Sequence, residues 1–218
     1  MIADLADALA PAGLIALGSF RLTADEAETF GTGGNRGAVL VGNAGPAMWD
    51  AFSGDGGEGG AADPLDAWTR ARIAPVAESL GLVAIHPFDG PPWPPFGQWA
   101  ARTGRLYDSP LGMKIHGEFG VWVAFRAVLA GPDDLADALP PGGPSPCVGC
   151  ARPCLAACPV GAFDGGTYDV AACRRQVAGA GKLCRETGCL SRHACPVNPA
   201  GAWSAAQAAF HMRSFLDG

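Results

Sequence analysis

The sequence is poor in charge, and what charge it carries is mostly acidic. Charged side chains make up 17% of the 218 residues, and the formal net charge is −6. A chain without net positive charge lacks the electrostatic footprint of general nucleic-acid binding. No stretch reaches 18 uncharged apolar residues, so no transmembrane helix is expected. No Lys or Arg precedes Arg21, and Asp4 and Asp7 stand where a secretory peptide would be basic. A cytoplasmic location is therefore expected. Residues 1–140 show no internal repeat, and no cysteine occurs before Cys147. The low charge does not signal disorder throughout, because 49% of the residues are apolar.

What is abundant is glycine (32) and proline (19), which predicts many turns. The composition changes along the chain. Residues 1–140 hold 8 basic and 17 acidic side chains, whereas residues 141–218 hold 7 basic and 4 acidic, together with all eight cysteines. The turn-rich run Pro140-Pro141-Gly142-Gly143-Pro144-Ser145-Pro146 marks the change. The organisation expected is a domain over 1–140, a small cysteine-rich domain over 141–200, and a helix over 201–218 packed back on the body.

Within 1–140, helical spacing over residues 1–10 is stopped by Pro11 and Gly13. Apolar runs predict strands at 14–18, 38–42 and 82–85. Gly42-Asn43-Ala44-Gly45 has neither the Lys-Ser/Thr of a phosphate loop nor the full dinucleotide spacing, and reads as a turn. Residues 53–62 read as a glycine-rich loop. Asp63-Pro64 opens a helix with Leu65, Trp68, Ile73, Val76 and Leu80 on its apolar face, kinked or divided at Pro75. A helix is expected over 96–103, and two strands over 113–116 and 121–129 read as a hairpin. Alternating strands and helices make the first domain α+β or α/β. Beyond the cysteines, Pro199 to Phe215 reads as a helix.

The cysteines fall into two groups of four, each closed by Cys-Pro: Cys147-x2-Cys150-x3-Cys154-x3-Cys158-Pro159, then Cys173-x10-Cys184-x4-Cys189-x5-Cys195-Pro196. In a reducing compartment eight cysteines need a reason other than disulfides. The tandem pattern resembles the runs of bacterial two-cluster ferredoxins, where the fourth Cys of each run ligates the other cluster. That resemblance implies one [4Fe-4S] cluster on Cys147, Cys150, Cys154 and Cys195, and another on Cys158, Cys173, Cys184 and Cys189. Arg152, Arg174, Arg175, Lys182, Arg185 and Arg192 lie within the segment and would offset the cluster charge. Zinc half-sites, a disulfide set, or one cluster beside a degenerate second group also match the spacing. His193 lies inside the widened last loop, as an alternative ligand or a solvated loop residue.

A cluster pair following such a domain is similar to epoxyqueuosine reductases and reductive dehalogenases, in which a ferredoxin-like unit accompanies a cobalamin-binding domain related to flavin nitroreductases. Residues 109–128, Ser-Pro-Leu-Gly-Met-Lys-Ile-His-Gly-Glu-Phe-Gly-Val-Trp-Val-Ala-Phe-Arg-Ala-Val, resemble a stretch of CblC-type cobalamin-processing enzymes, which remove the upper axial ligand of cobalamin. The matching positions are His116, Phe119, Gly120, Trp122, Ala124, Arg126 and Val128, while Gly117, Val121, Val123 and Ala127 depart. The resemblance implies a nitroreductase-like fold and a corrinoid pocket with His116, Phe119, Gly120, Trp122 and Arg126 as candidates. It assigns no catalytic proton donor. From residue type alone, Ile115, Trp122, Phe125 and Val128 are equally core residues, and Arg126 a partner of Asp108 or Glu118.

Two functions follow as expectations. One is a corrinoid reductase, in which the clusters pass single electrons to cobalamin. The other is a ferredoxin-like electron carrier, with the acidic first domain docking a basic redox partner protein. A flavin in the first domain is a third possibility.

Overall fold

In the computed structural model of the chain, residues 1–57 and 63–217 are described. They form two compact units, one of residues 1–106 and 123–143, the other of residues 107–122 and 144 onward. The first unit thus ends at Gly143, inside the turn-rich run, but residues 107–122 group with the cysteines rather than with the segments around them.

In the first unit, α1 (Ile2–Leu9) buries Leu5 and Leu9 on one face. A 3-10 turn carries the chain through Pro11 to Gly13, whose φ of +62° closes it. A Cβ at Gly13 would lie 2.3 Å from the backbone of Ala47, so only glycine fits. There follow β1 (Ile15–Arg21), α2 (Ala24–Thr29), β2 (Gly37–Ala44), α3 (Ala47–Gly54), α4 (Pro64–Leu80), β3 (Val83–Ile85) and α5 (Phe96–Arg102). Next, β4 (Leu106–Asp108) leads into the second unit, β5 (Lys114–His116) lies there, and the chain returns with β6 (Val123–Gly131). The sheet order is β1-β2-β6-β3, antiparallel at every pair, so the unit is α+β rather than α/β.

Several expectations are corrected. The hairpin over 113–129 does not form: β5 pairs with β4, while β6 pairs with β2 and β3. Periodicity shows which face a strand buries but not which strand it meets. The nine residues of β6 find a matching length in the eight of β2, from Gly37 opposite Gly131 to Ala44 opposite Val123. Gly42-Asn43-Ala44 is not a turn but the end of β2. The helical pattern of α4 continues through Pro75, which lies exposed. Its buried row is Leu65, Thr69, Ile73 and Ala77, with Trp68, Val76 and Leu80 only half-buried. Ser53 and Gly54 close α3, and residues 58–62 of the expected loop lie outside the described residues.

Glu26 ties α2 to α5. It closes a capping box with Thr23, accepts a hydrogen bond from Trp99 Nε1 at 2.9 Å and pairs with Arg102. The Arg102 hydrogen bond, helped by those from Thr23 and Trp99, lowers its pKa from an ordinary 4.5 to about 2, against the opposing effect of burial. A depressed carboxylate stabilises the fold fully above pH 4.5, and that contribution is lost as pH falls toward 2. Glu26→Gln is expected to cost about 1–3 kcal/mol at neutral pH and to flatten the acid limb of stability, read by urea unfolding across pH.

The second unit holds the β4-β5 ribbon and five helices: α6 (Pro153–Ala156), α7 (Val170–Ala178), α8 (Lys182–Thr187), α9 (Leu190–His193) and α10 (Ala205–Asp217). The helix expected from Pro199 begins as a 3-10 turn over 199–201, and its α-helical part starts at Ala205. α10 packs on α7 and α8, and α6 meets α9. That second contact brings the end of the first cysteine run to the end of the second.

Candidate functional site

Arg126 is buried in the first unit. Val41 opposes Ala127 and Gly42 opposes Phe125, so Arg126 is the extra residue of a bulge in β6. A bulge re-aims the side chain it leaves unpaired. The Arg126 Nε donates to Asn43 Oδ1 at 2.9 Å. Burial lowers its pKa to about 10, with Asp66 opposing, so it remains a cation at neutral pH. The hydrogen-bond partner is therefore Asn43 and the nearby opposite charge Asp66, rather than Asp108 or Glu118.

The surroundings of Arg126 are polar and closed. The Arg126 carbonyl is 3.1 Å from His86 Nδ1, and the His86 N–H donates to Asp89, which pairs with Arg70. Burial lowers the His86 pKa and raises that of Asp66. Arg126 Nη2, Asn43 Nδ2 and Thr69 Oγ1 are buried without hydrogen-bond partners among the described residues. Each such group carries an uncompensated desolvation cost of about 1–3 kcal/mol. All three belong to the first unit. The sequence reading missed Asn43, Thr69, Asp66 and His86. The available signal was an Asn inside a continuous apolar run.

The other pocket candidates belong to the second unit. His116 and Phe119 stack with ring centroids 4.7 Å apart. His116 Nδ1 accepts from the N–H groups of Glu118 at 3.1 Å and Phe119 at 3.3 Å, which places the ring proton of a neutral imidazole on Nε2. Gly120 has φ of +63°, and a Cβ there would sit 2.4 Å from the carbonyl oxygen of Val197. Trp122 lies against the second cysteine run. Its ring faces Arg192 at 4.7 Å and His193 at 4.9 Å, and its carbonyl accepts from Trp203 Nε1 at 3.3 Å. The Arg192 guanidinium also lies 4.0 Å from the Trp203 ring and donates to the Val121 carbonyl at 2.5 Å. Gly120 and Trp122 thus have structural tasks inside the cysteine unit. His193 directs Nε2 to the Thr187 carbonyl at 2.8 Å.

All eight cysteines are free and belong to the second unit. Among the described residues no group of three or more His, Cys, Asp or Glu side chains converges on a single-ion site. The thiols nevertheless influence one another in two sets. Burial, then Cys150 and Cys195, raise the pKa of Cys147; burial, Cys195, Cys147 and Cys150 raise that of Cys154. Burial, Cys189, Cys158 and Cys184 raise that of Cys173; burial, Cys189 and Cys158 raise that of Cys184. The second set lines one cavity.

Backbone and side-chain donors turn toward these sulfurs. Arg152 N–H donates to Cys150 Sγ at 3.4 Å and Ala162 N–H to Cys158 Sγ at 3.3 Å. The Tyr168 side chain lies beside Cys173. The Ser191 hydroxyl lines the second cavity, buried and without a hydrogen-bond partner among the described residues. Leu111, Ala162 and Phe163 form an apolar cluster with Cys154, against which Cys158 and Cys173 pack. Thiols in fours, sulfur-directed donors and an apolar surround fit a cluster that is larger than one ion.

These features define a mixed α/β protein with a cysteine-rich unit. No family model and no curated protein matches the chain. Among solved structures it is similar to the B12-trafficking protein CblC of C. elegans, described as a homologue of human MMACHC. The TM-score is 0.53 at 13% identity, over 99% of this chain and 95% of that one. At this identity the likeness is one of fold.

Gly120→Ala is expected to destabilise the second unit by at least about 2 kcal/mol, through left-handed strain and the clash with Val197. Gly117→Ala, with open space at its Cβ, is expected to cost under about 1 kcal/mol. Thermal unfolding of the two variants checks the difference.

Proposed function

We propose that the protein is an iron–sulfur redox protein that passes single electrons to a corrinoid. Its place would be a reducing compartment, the cytoplasm, where free thiols persist. The observation that carries the reading is the division of eight thiols into two sets of four. Cys147, Cys150, Cys154 and Cys195 would hold one [4Fe-4S] cluster, and Cys158, Cys173, Cys184 and Cys189 the other. Each set takes three cysteines from one run and one from the other run, and the α6–α9 contact supports that exchange.

When bound, the clusters supply one-electron reduction, and cobalamin supplies a cobalt centre that releases its upper ligand on reduction. The chain's own residues bind and orient. Arg126, Asn43 and Thr69 offer buried, unmet hydrogen-bonding groups to the carbonyl oxygens of the corrin's amide arms. Asp66 balances the Arg126 charge, so the site can take a neutral, acceptor-rich ligand. His116, Phe119, Gly120 and Trp122 hold residues 107–122 in shape beside the cysteines. The fold shared with CblC, itself described as a B12-trafficking protein, supports the corrinoid reading.

A second reading is a ferredoxin-like electron carrier with no cobalamin. The 17 acidic against 8 basic side chains of residues 1–140 favour it, as a steering surface for a basic redox partner.

Anaerobic loading with iron and sulfide is expected to give about eight irons per chain, and Cys150→Ser and Cys184→Ser each about half of that. An iron content that does not fall in either variant would contradict the ligand sets. Titration of the loaded protein with cob(II)alamin, followed by electron paramagnetic resonance, separates the two readings. A cobalt signal altered from that of free cob(II)alamin supports the corrinoid reductase; an unaltered one favours the carrier. Arg126→Met is expected to weaken cob(II)alamin binding by about tenfold, or about 1.4 kcal/mol.

A further inference from the structure

We infer that the two cysteine sets are electronically unequal, and that the set of Cys158, Cys173, Cys184 and Cys189 accepts the first electron. The inference rests on the iron–sulfur reading above and goes beyond it, from which residues hold the clusters to the order in which they fill. Such clusters, when bound, would each accept one electron from an external low-potential one-electron donor, the added negative charge being shared with the thiolate sulfurs. Hydrogen-bond donors and buried cations beside those sulfurs favour the charged form and raise the potential.

Such groups gather around the second set. Ala162 N–H donates to Cys158 at 3.3 Å, and the Tyr168 side chain lies beside Cys173. Tyr168 is held in place by stacking on Phe163, with centroids 5.0 Å apart. The Ser191 hydroxyl, 1% exposed, lines the same cavity and has no hydrogen-bond partner among the described residues. A buried hydroxyl in that position gains a partner when sulfur acceptors fill the cavity. Arg192 follows one residue later, and its N–H bonds the carbonyl of Cys189, one turn back. Its guanidinium cannot swing into water, because Trp122, Trp203 and the Val121 carbonyl enclose it. A cation fixed in a poorly polarisable surround acts far more strongly than a solvated one.

The first set has donors of its own and differs in its cation. Arg152 N–H donates to Cys150 at 3.4 Å, with the Ser145 hydroxyl beside Cys147 and the Leu155 N–H beside Cys154. The Arg152 side chain is exposed, so water and salt screen its charge.

The test is a redox titration of the full, iron-loaded chain, followed by electron paramagnetic resonance. Cys150→Ser and Cys184→Ser identify which signal belongs to which set. Two separate midpoints are expected, the higher one lost in Cys184→Ser. Ser191→Ala, Tyr168→Phe and Arg192→Gln are each expected to lower the higher midpoint and leave the lower one in place. The ratio of oxidised to reduced form at fixed potential should change by about tenfold, or about 59 mV for one electron. Arg192→Lys keeps the charge and should restore part of the shift, whereas a purely structural role for Arg192 predicts no such rescue. Two clusters with coincident midpoints, or variants that move the lower midpoint or neither, overturn the inference while the iron–sulfur reading stands. A chain that takes up no iron and sulfide overturns that reading and the inference together.

Discussion

The Arg192 guanidinium ties three segments of the cysteine unit to one another. Residues 107–122 leave the first unit's chain path and enter the second, and their last residues close on Arg192 through the Val121 carbonyl and the Trp122 ring. Trp203 covers the other contact of the same cation, at 4.0 Å, and bonds back to the Trp122 carbonyl. Cation–π contacts gain most where the cation is desolvated. Here burial is deep enough to lower the Arg192 pKa to about 10, yet the charge persists at neutral pH. Because Arg192 lies between Cys189 and Cys195, whatever fixes it also fixes the last loop of the second cysteine run.

A different constraint shapes the first unit. The bulge in β6 takes Arg126 out of the strand ladder, and Asn43, across the sheet in β2, receives it. Such a bulge costs one pairing step and yields a buried polar group where regular alternation would place core. The close fit of Gly42 belongs to the same feature, since a Cβ there would meet the Ala124 carbonyl oxygen at 2.2 Å. The unmet polar atoms of Arg126 and Asn43 set this part of the sheet apart from its rows of Val39, Leu40, Val128 and Leu129.

How much of this was legible depended on the kind of signal. Cysteine spacing is a discrete pattern that can be read without the fold, and the ligand sets proposed above are drawn from it. Helix positions followed from periodicity, to within a few residues for α1, α4 and α5. Strand partnership did not, because a run such as 121–129 carries no mark of whether it pairs with its sequence neighbour or with β2. The membership of residues 107–122 was hidden for the same reason: contacts to Arg192, Val197 and Trp203 are all distant in sequence. Thr69 and Ala77 escaped the apolar face of α4 because one is polar and the other small, although both are buried. Asn43 was the polar exception in an apolar run, and the bulge that gives it meaning cannot be seen without the partner strand.

The central claim is that the cysteine unit holds two four-iron clusters. Native mass spectrometry of the chain loaded anaerobically with iron and sulfide, in the presence of zinc as a competitor, tests it most directly. The account predicts a mass increment equal to two four-iron, four-sulfide clusters on each chain. An increment matching zinc ions alone, or no increment at all, would contradict it.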